Sequence, residues 1–64
     1  MFVNTFEIKD PIAVYDKAAK IARVLGLDLS PVWQLAGRTF MTVQGDKDEI
    51  EALSDVLHVL HWVA

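Results

Sequence analysis

Cysteine is absent from these 64 residues, which excludes disulfides and thiolate metal ligands and fits a reducing compartment. Proline occurs twice and glycine three times, too sparsely for a linker or low-complexity segment, and no internal repeat is visible. Basic residues are the scarcer charge. Six of them face nine acidic residues, and the net charge of -3 repels phosphate backbones, which disfavours nucleic acid as a partner. No apolar run approaches the ~20 residues that cross a bilayer, and the N-terminus lacks a basic flank leading into a hydrophobic stretch. The expectation is a cytoplasmic protein without a membrane partner.

What is present is apolar: 53% of the residues are hydrophobic, above the usual ~45–50%. One domain spanning 1–64 must hold every motif, and a domain this small buries only roughly 60% of the surface its unfolded chain exposes. Part of the apolar surplus is therefore expected at an interface.

Phe2-Val3-Asn4-Thr5-Phe6-Glu7-Ile8 reads as a strand, with Phe2, Phe6 and Ile8 on one side and Val3, Thr5 and Glu7 on the other. Asp10-Pro11 starts a helix that Gly26 stops, and Val14, Ala18, Ile21 and Leu25 form its apolar stripe. Val32–Leu35 and Thr39–Val43, separated by Ala36-Gly37-Arg38, predict a β-hairpin within 31–44. Asp46 and Glu49 form a capping box opening a second helix, whose stripe Ile50, Leu53, Leu57, Leu60 and Ala64 carries it to the end of the chain. The fold class that follows is α+β: a βαββα open-faced sandwich, with both helices on one face of a three-stranded antiparallel sheet. It corresponds to a split β-α-β (ferredoxin-like) arrangement lacking its last strand, so the first strand is left with an open edge.

No catalytic constellation emerges. The carboxylates gather at helix starts, where capping explains them, and Ser30 and Ser54 lack any nucleophile-elbow or triad context. His58 and His61, with Asp55, supply at most three metal ligands where a structural site wants four, so no metal and no cofactor is expected. Trp33 alternates with Leu35 and is assigned to the core. Helical spacing sets Trp62 on the polar side with Glu51, Asp55 and His58, where Trp62→Glu would leave the monomer folded. Val3, Thr5, Val59, Trp62 and Val63 are the candidate partner-binding residues, lying along the open strand and around the apolar end of the second helix.

The stretch from Ile21 to Leu35 resembles the helix-turn-helix of small phage Cro-type repressors. Ala22, Gly26, Val32 and Leu35 take the packing and turn positions, while Ser30 caps and Pro31 begins a recognition helix. Ala36-Gly37-Arg38 and Phe40–Val43 look like the strand that follows it. The resemblance implies a DNA-binding transcriptional regulator with Gln34 and Ser30 as polar readers. The open edge and the apolar surplus lead elsewhere, to a non-enzymatic protein-binding module. On that reading the chain is a small regulator or inhibitor, of the kind phages use as accessory proteins, that docks on a partner protein and self-associates as a symmetric homodimer. A third reading, a small-ligand or RNA binder, would use the open sheet face with Phe40 and Arg38.

Overall fold

The element order is β1 (Phe2–Glu7), α1 (Pro11–Val24), β2 (Asp28–Leu29), β3 (Trp33–Leu35), β4 (Arg38–Gly45) and α2 (Lys47–Val59), in a computed structural model that describes residues 1–63. The class is α+β, with two helices and a four-stranded antiparallel open sheet. β4 is its spine: β1 pairs along one side, from Phe2↔Gly45 to Glu7↔Phe40, and β2 and β3 both pair along the other. Strand alternation turns Phe6 of β1 and Met41 and Val43 of β4 to the helical side, where they pack with Val14, Ala18 and Ala22 of α1 and Ile50, Leu53 and Leu57 of α2.

The strand count corrects the expectation of three. Four residue steps separate Leu29 from Trp33 on the outer side, but three separate their partners Val43 and Phe40, so one extra residue bulges out between β2 and β3. Ser30 holds that bulge. Its N–H donates to the Thr42 carbonyl at 2.9 Å, and its hydroxyl accepts the Thr42 N–H at 2.9 Å, standing in for a carbonyl that the bulge has displaced. From α1, the Tyr15 hydroxyl donates to the Ser30 carbonyl at 2.8 Å. A single edge strand is thereby broken in two.

The recognition helix implied by the repressor resemblance is also corrected. α1 closes in a Schellman motif, with Gly26 at φ +73°, Gly26 N–H bonded to the Arg23 carbonyl and Leu27 N–H bonded to the Ala22 carbonyl. The residues beyond it are strands, and Trp33–Leu35 forms a hairpin with β4. Ala36 and Gly37, both at positive φ, make the two-residue type I′ turn whose twist matches its strands.

α2 departs from expectation at both ends. Asp46 occupies the N-cap position but makes no side-chain cap bond, whereas the Asp10 carboxylate does accept the Ala13 N–H at the start of α1. At the other end the helix stops at Val59 instead of running to Ala64, which lies outside the described residues. The stop is a second Schellman motif: His61 sits at φ +57°, its N–H bonds the His58 carbonyl, and Trp62 N–H bonds the Leu57 carbonyl at 2.9 Å. The chain then turns onto the sheet, where Val63 bridges Ile8 and the Lys9 N–H donates to the Trp62 carbonyl. A side chain with a Cβ is disfavoured at left-handed φ, and His61 is exposed. His61→Gly should therefore raise stability by about 1 kcal/mol in urea unfolding. No change, or a loss, would mean that the histidine side chain itself holds the stop.

Trp33 is corrected as well. It is 40% exposed and stands on the sheet face opposite the helices, because only one face of this sheet is covered. No helix among the described residues is long and apolar enough to cross a membrane.

Candidate protein-docking edge

Backbone direction along β1 follows from one hydrogen bond. Ile8 N–H donates to the Thr39 carbonyl at 2.9 Å, so Ile8 directs its backbone groups at β4. In an antiparallel pair that direction alternates, so Phe2, Asn4 and Phe6 also face β4 while Val3, Thr5 and Glu7 direct N–H and C=O off the sheet. Among the described residues no strand pairs this outer side before the bridge at Ile8. The Thr5 N–H is held only locally, by the Asn4 side-chain oxygen at 2.9 Å.

Two adjoining grooves separate this edge from α2. One lies against Phe2, Val3 and Asn4 and is walled by Lys47, Ile50 and Glu51. The other continues along Asn4 to Glu7, walled by Ser54 and His58 and closed by Val63. Lys47, Glu51, Ser54 and His58 recur at spacings of four, three and four, which keeps them on one side of the helix. His58 Nδ1 lies 2.7 Å from the Ser54 carbonyl, so the Nδ1–H donates to that carbonyl and fixes the ring against the groove wall.

The structure brings Val3, Thr5 and Val63 together on this edge and separates the other two candidates from it. Val63 is buried, only 5% exposed, so it closes the groove's end and forms no free surface. Trp62 is half-buried against the core with the Lys17 ammonium 5.8 Å from its ring centroid, which corrects its placement on the polar side of α2. Val59 is exposed but lines neither groove. Asn4, Lys47, Ser54 and His58 were not singled out for this edge by their sequence; the signal was the four-three-four polar spacing facing an amphipathic strand.

The uncovered sheet face carries a second cluster. Trp33 and Phe40 stack with centroids 4.8 Å apart and planes at 25°, and the Arg38 guanidinium lies 5.9 Å from the Phe40 centroid. Arg38 also donates two hydrogen bonds to the Glu7 carboxylate, at 2.6 and 2.7 Å. Those bonds lower the Glu7 pKa, with desolvation opposing and the guanidinium charge adding to the effect. The pair's contribution is thus present above the ordinary glutamate pKa and is lost as pH falls through the lowered one. Because Glu7 neutralises Arg38, the aromatic platform offers no net positive charge to a phosphate.

His61, turned away by the left-handed stop, does not share a helix face with His58. Among the described residues no cluster of three or more His, Cys, Asp or Glu side chains could hold a metal ion. The fold and the edge define a small α+β domain with one regular, unpaired strand edge beside a helix. Comparison with protein-family models, curated proteins and solved structures finds no match.

Proposed function

We propose that the domain is a non-enzymatic protein-binding module, a small regulator or inhibitor that docks by taking an extended segment of its partner as an additional strand along β1. The observation that supports this most is the outward direction of the Val3 and Thr5 backbone groups beside the α2 grooves. Main-chain bonds would give the affinity, and the grooves would read alternate side chains of the incoming strand. With β2 and β3 counted as one interrupted strand, the domain is a split β-α-β arrangement lacking its last strand. The partner's segment takes that place, and the Val63 bridge to Ile8 already marks where it would run.

Peptides selected from a random library test the reading without knowledge of the natural partner. Bound peptides should slow exchange of the Val3 amide and lose about tenfold or more in affinity against Thr5→Pro, while Thr5→Val keeps binding. Binders that protect the Trp33–Phe40 face instead, or that bind Thr5→Pro equally, would overturn it.

A further inference from the structure

We propose that a second copy of this chain can occupy the β1 edge, pairing antiparallel about a two-fold axis at Asn4; this rests on the strand-addition reading above. Register decides the matter. An antiparallel pair exchanges hydrogen bonds only where the backbone groups of both residues point outward, which here restricts β1 to registers centred on a single residue. Centring on Thr5 would set Phe2 of the second copy opposite Ile8, a position that Val63 already fills. Centring on Val3 pairs a shorter stretch. Centring on Asn4 uses the whole free window from Phe2 to Phe6, with Val3 and Thr5 exchanging both backbone bonds with Thr5 and Val3 of the second copy.

The groove walls are complementary in the same register. The two-fold axis sets Lys47 and Glu51, at the Phe2 end, towards Ser54 and His58 of the second copy, so neither charged group faces its own kind and the Glu51 carboxylate can accept the Ser54 hydroxyl. Phe2 and Val3, 54% and 63% exposed, gain cover from the neighbouring β1. The contact is small. Five paired residues and one helix wall per copy fall well short of the ~800 Å² per partner typical of a stable complex. Asn4 must also release the Thr5 N–H, and two copies of net charge -3 repel. The dimer is accordingly weak, with Kd on the order of 100 µM, and is strengthened by salt.

A cysteine-free chain permits a clean test. In this register the two Asn4 positions form a pair without hydrogen bonds, with Cα atoms about 4.5 Å apart, whereas the two Thr5 positions lie diagonally, beyond the ~7 Å limit of a disulfide. Under mild oxidation Asn4→Cys should form a covalent dimer at least about tenfold faster than Thr5→Cys, and adding Thr5→Pro to Asn4→Cys should abolish the difference. Faster cross-linking of Thr5→Cys, or wild type sedimenting as a monomer at about 1 mM, would overturn the second copy as occupant. If peptides still bind along Val3 in that case, strand addition survives and only self-pairing fails; if they do not, both fail.

Discussion

Asn4→Pro should strongly destabilise the domain, whereas Thr5→Pro should leave its stability nearly unchanged. The two residues are neighbours on the same exposed strand, and neither side chain is buried. They differ in backbone direction: Asn4 faces Val43 within the β1–β4 ladder, and Thr5 faces away from the sheet. Proline at Asn4 removes a ladder donor and sets its ring against β4, at a cost of about 3 kcal/mol or more. A domain of this size has roughly 3–10 kcal/mol of total stability, so the loss takes between about a third and all of it. Proline at Thr5 removes only the local bond to the Asn4 side chain. Circular dichroism during urea unfolding would compare the two, and equal destabilisation would mean that the assigned direction of β1 is wrong.

Trp62→Glu carries the second large effect, and here structure reverses the sequence expectation. Were α2 to run to the end of the chain, Trp62 would sit on its polar side and could be exchanged freely. With the helix stopped by His61, the indole is half-buried against the core and close to Lys17. Replacing it removes partly buried aromatic surface and the cation–π contact, for a loss of about 2–3 kcal/mol. Val59→Glu, on a residue 75% exposed, should change stability by no more than about 0.5 kcal/mol. Urea midpoints for the two variants would check this, and a Trp62→Glu midpoint matching that of Val59→Glu would contradict the packed position.

The elements that announced themselves were those whose ends carry residue-specific chemistry. Asp10-Pro11 and Gly26 bracket α1, Ala36-Gly37 makes the hairpin turn, and the alternation of β1 gives its buried side directly. What stayed hidden depended on residues without such a signature. Histidine is an unusual occupant of a left-handed helix stop, so nothing in His61 separates a stop from another helical turn. Alternation in β3 groups Trp33 with Leu35, but only the placement of both helices on the other face leaves that pair uncovered. The unpaired edge was legible as an open strand, on which Val3 and Thr5 lie. Its usable length was not, because the limit is set by Val63, and Val63 reaches Ile8 only through the turn at His61.

The Ser30 bulge settles how many neighbours such a sheet can take. A sheet with two straight rims could add copies on both sides without end, as a fibre does. Here the far rim is kinked by an extra residue and carries Pro31, which has no donor to offer an incoming strand. Among the described residues the β1 rim alone is straight, so on the strand-addition proposal the molecule would have a valence of one. If β1 accepts a strand as proposed, pairing would end after a single event, and the protein would be adhesive without becoming a polymer.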